Sequence, residues 1–223
     1  VEYTYFDLTG GRRAEREMTL YLSLYKPVKV LAIGVDKEAR LSRAEPFRVP
    51  KPVVFYGTSI TQGGCASRPG MSYQAILGRM LNLDFVNLGF SGNGRGEPEV
   101  ARMTAEIDAS AFVLDFCQNN KTVESLIEVY DPFIATLRAK HPETPMIAVT
   151  PIAAASERVG PAGERLNAMR AHIRSVVNKR IAAGDKHLQL VEGPSLIGSD
   201  EVDGFVDGVH PNDLGFQRMA ERL

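Results

Sequence analysis

Four short polar segments contain the side chains best suited to chemistry. They are Gly57–Gly63, Asn87–Gly94, Cys117–Asn120 and Asp207–Asn212. Together they supply a serine hydroxyl, glycine-rich backbone, a side-chain amide, and a histidine that follows an aspartate by three positions. Acyl transfer needs this set of groups, because a serine hydroxyl becomes a good nucleophile only when a base, most often histidine, removes its proton.

Within these segments, Ser59 is the predicted nucleophile and His210 the predicted base. A carboxylate is needed to fix the tautomer of the histidine and to stabilise the imidazolium. Asp207 and His210 are separated by two residues on a turn, so their side chains can point the same way. This spacing favours Asp207 over its nearest competitor, Asp203.

A tetrahedral intermediate also needs hydrogen-bond donors for its negatively charged oxygen. Gly92 can present its backbone N–H, because the missing side chain permits close approach. Asn119 can donate from its amide, and Ser59 from its own backbone N–H. These three residues are the predicted oxyanion hole.

The elements that must position these residues alternate along the chain. Short apolar strands are predicted at 53–57, 84–90, 111–117, 146–152 and 187–193, and helices at 72–81, 98–107, 123–140, 163–183 and 213–223. Near-continuous apolar strands separated by helices are typical of a parallel sheet covered on both faces. In such doubly wound sheets the site lies at the carboxyl ends of the strands, where the polar segments begin.

The first fifty residues have a different pattern. Tyr3–Leu8 and Thr19–Leu24 alternate with period two, and Val28–Val35 is rich in β-branched residues, so all three are predicted strands. Because a few strands do not form a stable unit alone, residues 1–50 are predicted to be the end of an N-terminal β-domain. Residues 51–223 form the second predicted domain.

In their order and positions, the four segments resemble those of the SGNH hydrolases, also called the GDSL esterase/lipase family. Gly57–Ser59 corresponds to the first family block, Gly92 to the second, Asn119 to the third and Asp207–His210 to the last. The resemblance covers residues 52–223. It implies a flavodoxin-like three-layer α/β/α fold with a five-stranded parallel sheet, a Ser-His-Asp triad and no cofactor or metal.

Three positions depart from the family pattern. Thr58 and Asn120 each replace a family aspartate, and Cys117 replaces a glycine. None of these changes removes the nucleophile, the base or an oxyanion donor. The stretch FYGTSITQGGCASRPGMSY also resembles a bacterial subgroup in which a β-domain precedes the hydrolase, in line with the strands predicted in residues 1–50.

The resemblance implies a serine esterase and favours O-acetyl esters of carbohydrate. A short acyl group on a polar carrier, either a small molecule or a glycan, is the expected substrate, because no lid or long apolar stripe for lipid is evident. Two alternatives stay open. One is a non-catalytic carbohydrate-binding module, and the other is a metal-dependent phosphoesterase that uses Asp203, Asp207 and His210.

Other residues of reactive type have simpler interpretations. The remaining histidines are predicted to be solvated or to cap elements: His141, His172 and His187. Cys65 and Cys117 are predicted to be small buried apolar residues. Arg68 and Arg95 are in loops near the site, where they either contact substrate or are solvated. The glycines at 89–96 lack a Gly-x-Gly-x-x-Gly run, so nucleotide binding is disfavoured.

Composition narrows the function further. The 223 residues include 26 Lys and Arg against 27 Asp and Glu, a net charge of −1. Without a basic excess to neutralise phosphates, nucleic-acid binding is not expected. No apolar run approaches the roughly 20 residues of a membrane span.

The expected compartment is the periplasm or the cell exterior if a leader precedes this sequence, and otherwise the cytoplasm. The oligomeric state stays open.

Overall fold

A five-stranded parallel β-sheet forms the centre of the protein in the computed structural model, which describes residues 11, 14–158 and 161–223. Its strands are β1 (Val53–Gly57), β2 (Phe85–Gly89), β3 (Ala111–Asp115), β4 (Met146–Val149) and β5 (Leu188–Val191). They lie in the order β2-β1-β3-β4-β5, and all neighbours are parallel. This is the flavodoxin-like order, whose topological switch point lies between β1 and β3. The predicted parallel sheet is therefore confirmed.

Seven α-helices connect or flank these strands in the described part of the chain. They are α1 (Ser59–Gln62), α2 (Tyr73–Leu81), α3 (Pro98–Ala105), α4 (Val123–Lys140), α5 (Ala162–Ala182), α6 (Gly193–Leu196) and α7 (Asp213–Arg222). The five longer helices were predicted to within two residues at each end. The four-residue helices α1 and α6 were not predicted, because a single turn lacks the apolar periodicity on which such predictions rest. No helix among the described residues is long and apolar enough to cross a membrane.

Two apolar cores cover the two faces of the sheet. Side chains alternate along β1, so Val54 and Tyr56 join the core formed with α3, α4 and α5, while Phe55 faces the opposite way. Phe55 packs in the second core with α1, α2, α6 and α7. Burial of both faces explains why the strands are almost continuously apolar.

The residues before β1 differ from the prediction. Thr19–Leu24 and Val28–Val35 are not strands, and no strand forms anywhere in residues 14–49. A strand needs a hydrogen-bonded neighbour, and these segments have none in the described part of the chain. The predicted strand Tyr3–Leu8 lies outside the described residues.

The strand register brings three polar segments to one edge of the sheet. Gly57, the last residue of β1, is aligned with Gly89 at the end of β2 and with Asp115 at the end of β3. The chain leaves all three strands at the same level. As a result, the segments that follow them surround the N-terminus of α1.

Candidate active site

Ser59, His210 and Asp207 form a continuous chain of hydrogen bonds. The Ser59 Oγ lies 2.8 Å from His210 Nε2, and His210 Nδ1 lies 2.7 Å from Asp207 Oδ2. The histidine thus uses both ring nitrogens, one toward the serine and one toward the carboxylate. This is the hydrogen-bond pattern by which a carboxylate orients a histidine that can accept a proton from serine.

The Asp207 carboxylate is held in its ionised form by local backbone. Its Oδ1 accepts hydrogen bonds from the N–H of His210, at 2.7 Å, and of Val209, at 2.9 Å. The hydrogen bond from the His210 N–H is the largest of the interactions that lower the pKa of Asp207 to about 2. The hydrogen bond to the His210 ring lowers this pKa further. A carboxylate with this pKa carries its charge throughout the neutral range, as an orienting partner for histidine requires.

Helix α1 holds Ser59 at its first position. Thr58 caps the helix, since its hydroxyl accepts a hydrogen bond from Ile60 N–H at 3.2 Å. Threonine is a favoured N-cap residue, so the departure from the family aspartate at position 58 leaves the cap intact. In the described part of the chain, the Ser59 N–H has no acceptor.

The turn from β1 into α1 packs main chain against main chain. A β-carbon on Gly57 would collide with the Thr61 side chain and the Asp115 carbonyl. A β-carbon on Gly94 would collide in turn with the Gly57 carbonyl. Only glycine fits such contacts, so the turn that carries Ser59 and the loop after β2 lie directly against each other.

The glycine loop, residues 91–94, follows β2 and contains the predicted donor Gly92. Gly92 has a φ of +73°, a left-handed conformation that side chains disfavour. Its carbonyl accepts two hydrogen bonds from the Arg95 guanidinium, at 3.2 and 2.9 Å. Its N–H has no acceptor among the described residues. The predicted loop residue Arg95 therefore braces this loop.

Asn119 ends a short 3₁₀ helix, Cys117–Asn119, that follows β3. Its Oδ1 accepts a hydrogen bond from Gly94 N–H at 3.2 Å. Since the side-chain oxygen is occupied by the glycine loop, the amide nitrogen is left as the donor toward a ligand. The loops that carry Asn119 and Gly92 are thus joined directly.

A family model described as the GDSL-like lipase/acylhydrolase family matches residues 50–223. The chain belongs to this family. A Bacteroides ovatus structure described as a GDSL-like lipase is 40% identical, with a TM-score of 0.74. The match covers 84% of this chain and 55% of that one, so the chain spans about half the length of this relative. No curated protein matches the chain significantly.

Two more distant structures share the fold. A salicylyl-acyltransferase from a tetracycline biosynthetic pathway is 22% identical over 78% of this chain and 53% of that one, with a TM-score of 0.70. A Clostridium thermocellum family two carbohydrate esterase, solved with cellohexaose, is 23% identical over 82% and 64%, with a TM-score of 0.62. At these identities the likeness shows the fold alone.

The other candidate residues have contacts of their own. Asp203 pairs with Arg218 at 2.8 Å, and Arg68 lies 3.8 Å from Asp213. His141 bonds the Ala105 carbonyl at 2.9 Å. The described residues contain no group of three or more His, Cys, Asp or Glu arranged to hold a metal ion. Asp203 therefore stands apart from the bonded chain of Ser59, His210 and Asp207.

The two cysteines differ in their surroundings. Cys117 is fully buried in the core of α3, α4 and α5, as predicted. Cys65 is only partly buried. Partial burial and the nearby Asp207 carboxylate both raise the pKa of its thiol, which lowers the fraction present as reactive thiolate.

Sequence reasoning missed a buried carboxyl group beneath the site. Asp115, at the end of β3, accepts a hydrogen bond from the Thr61 hydroxyl at 3.2 Å and lies 3.5 Å from the Tyr73 hydroxyl. Burial raises its pKa to about 7. Because Thr61 belongs to α1, the carboxyl group supports the helix that carries Ser59. The signal that could have revealed it is a charged residue within the apolar run AFVLDFC.

Proposed function

We propose that the protein is a serine esterase that removes short acyl groups, above all O-acetyl groups, from carbohydrate. The observation that supports this most is the continuous hydrogen-bond chain from Ser59 through His210 to Asp207. Membership of the acylhydrolase family supports the same chemistry. The proposed hydrolase unit is residues 51–223, as the sequence predicted.

In the first step, Ser59 Oγ attacks the carbonyl carbon of the ester. His210 Nε2 takes the hydroxyl proton, and the Asp207 carboxylate stabilises the resulting imidazolium. The carbonyl oxygen becomes an oxyanion, which receives hydrogen bonds from Ser59 N–H, Gly92 N–H and the Asn119 amide. His210 then returns the proton to the leaving alcohol, which leaves an acylated Ser59.

In the second step, water attacks the acyl-enzyme. His210 takes a proton from the water, and the same three donors hold the second oxyanion. As the intermediate collapses, the bond between the acyl carbon and Ser59 Oγ breaks and His210 returns its proton to Ser59 Oγ, which releases the free acid and restores the Ser59 hydroxyl. The Ser59–His210 hydrogen bond is restored for the next cycle. No metal ion is needed at either step.

The choice of an acetylated carbohydrate rests on two arguments. One is the occurrence of this fold in a carbohydrate esterase that was solved with cellohexaose. The other is the character of the surface beside Ser59, where Ser91, Asn93 and Arg95 are exposed and polar. Polar groups suit a hydroxylated alcohol better than a long acyl chain.

The first test is p-nitrophenyl acetate hydrolysis by the wild type and by Ser59→Ala, with and without a chelator. Triad residues act as a unit, so the variant should lose activity by about 10⁴- to 10⁶-fold, and chelation should have no effect. Ser195→Ala is a matched control, since among the described residues its hydroxyl bonds only the Glu192 carbonyl, at 2.7 Å. Equal activity in Ser59→Ala and wild type would show that the nucleophile is assigned wrongly.

The second test concerns the substrate. Acetate release from acetylated sugars and glycans should exceed fatty-acid release from long-chain esters. Preference for the long-chain esters would overturn the substrate class and leave the esterase mechanism standing. A folded but inactive wild type that binds glycans would favour the carbohydrate-binding alternative. Activity abolished by the chelator would favour the phosphoesterase alternative.

A further inference from the structure

Part of the segment that precedes the proposed hydrolase unit contacts the candidate active site. We call Tyr21–Tyr25 the strap. The Leu24 carbonyl accepts a hydrogen bond from Gln62 Nε2 at 2.9 Å, and the Leu24 side chain lies against Gly63 at the end of α1. At the other end of the strap, the Tyr21 hydroxyl accepts a hydrogen bond from Arg79 at 3.1 Å. The strap is thus fixed to α1 and α2.

Gln62 connects the strap to the glycine loop. Its Oε1 accepts a hydrogen bond from Ser91 N–H at 2.8 Å, while its Nε2 donates to Leu24. The amide can make both bonds in one orientation only, because the oxygen cannot donate and the nitrogen cannot accept. The hydrogen bond to the Leu24 carbonyl therefore fixes the orientation of the Gln62 amide. That amide in turn holds Ser91, the residue next to Gly92.

Tyr25 lies on the histidine side of the same site. A β-carbon placed on Gly64 would lie 2.9 Å from the Tyr25 hydroxyl and 3.6 Å from His210 Cδ2. The two side chains therefore flank one glycine. Tyr25 is 46% exposed, and its hydroxyl has no hydrogen-bond partner in the part of the chain that the structure describes. Cδ2 adjoins Nε2, the atom that returns the proton to the leaving alcohol.

We propose that the strap forms one wall of the active site. In this arrangement Gln62 is a positioning residue that couples the strap to the loop presenting the Gly92 N–H. The Tyr25 hydroxyl faces the alcohol portion of the ester and hydrogen-bonds to a hydroxyl group of that alcohol. The inference rests on the proposed function, and it extends the site to residues outside the part of the chain that matches the family model.

The coupling is tested by Gln62→Met, which preserves the approximate size of the side chain and removes both hydrogen bonds. The kcat for p-nitrophenyl acetate should fall about tenfold to a hundredfold with little change in KM, because displacement of an oxyanion donor weakens transition-state binding. Amide hydrogen exchange at Ser91 should become faster. Gln217→Met is the matched control, since the Gln217 amide bonds only Glu221, within α7, in the part of the chain that the structure describes.

Unchanged kcat and unchanged Ser91 exchange in a folded Gln62→Met protein would overturn the coupling. The exchange measurement does not require activity, so it decides the point even if the wild type proves inactive and the proposed function fails. Gln62→Glu is the second variant if Gln62→Met does not fold. It retains an acceptor for the Ser91 N–H and loses the donor to the Leu24 carbonyl. Slower turnover would therefore show that the hydrogen bond to the strap is the one that matters.

The role of Tyr25 is tested by comparing two substrates. Tyr25→Phe should lower kcat/KM for an acetylated sugar about threefold to tenfold, the value of one hydrogen bond. The effect on p-nitrophenyl acetate hydrolysis should be much smaller, since that leaving group has no sugar hydroxyl. Tyr21→Phe is the control within the strap, because its hydroxyl faces Arg79. An equal effect of Tyr25→Phe on both substrates, or none on either, would overturn the assignment.

Discussion

The part of the chain that contains the sheet and the segment before it differ in how far their apolar side chains are buried. In residues 53–223, apolar side chains fill two cores on the two faces of one sheet. In residues 14–49, many of them are exposed, with Leu31 at 84% and Ile33 at 72%. An apolar sequence pattern therefore leads to regular structure only where another surface of the protein is available to pack against it. The strap is the exception within the segment, because Leu24 contacts α1.

The largest expected effect on this contrast comes from shortening one apolar side chain in the core and one in the segment before β1. Phe112→Ala removes a fully buried ring from β3 and should lower the free energy of unfolding by about 3–5 kcal/mol. Leu31→Ala should change it by less than about 0.5 kcal/mol. Urea denaturation of both variants measures the two values. Comparable losses would show that the segment packs as tightly as the sheet.

A second test concerns the buried Asp115, for which the segment has no counterpart among its described residues. A carboxyl group whose pKa is raised to about 7 on folding favours the folded state at low pH, and this contribution is lost as the pH rises from about 4 to about 7. Between pH 5 and 8 the free energy of unfolding should fall by about 3 kcal/mol for this reason. Asp115→Asn should lack this decline, as urea denaturation across that pH range will show.

The groups that face Asp115 do not supply an opposing charge. Burial raises the pKa values of the Tyr73 hydroxyl and the Cys117 thiol, so both are neutral across this pH range. His172 titrates with a lowered pKa elsewhere in the protein, but it does so equally in the wild type and in Asp115→Asn. A parallel pH dependence in the two proteins would contradict the role given to Asp115.

The smallest expected effect separates the strap from the rest of the segment. Leu24→Ala removes the side chain that lies against Gly63 and should lower kcat about threefold through the Gln62 contact. Leu20→Ala changes a residue just outside the strap that is 46% exposed, and it should have no effect. Steady-state kinetics on p-nitrophenyl acetate compares the two. Identical kinetics for both variants would remove the distinction between strap and segment.

The sequence predicted the sheet well because its strands are buried on both faces, which produces long apolar runs. The same apolar runs made some of the predicted strands too long. β3 ends at Asp115, two residues before the predicted end, because Cys117 already belongs to a 3₁₀ helix. The strands predicted at Thr19–Leu24 and Val28–Val35 were wrong, since β-propensity alone cannot supply a hydrogen-bonded neighbour.

The candidate site was predictable where chemistry requires a particular side chain. Ser59, Asp207 and His210 were identified by residue type and spacing, and they are hydrogen-bonded to one another. Gln62 and Asp115 were given no role, although Gln62 lies in the first polar segment and Asp115 in a predicted strand. Their contacts depend on residues 29 or more positions away in sequence, and such long-range pairs leave no local pattern.

The contact between Gly57 and Gly94 bears on how this protein can evolve. Because the main chain of one loop lies directly on the main chain of the other, most substitutions at these positions would disturb the nucleophile itself. The main chain at the base of the site therefore tolerates few substitutions. New substrate preferences have to arise at the rim, where side chains such as Tyr25 and Asn93 can change without moving Ser59. Variation among relatives should accordingly concentrate in the strap and in the exposed loop positions.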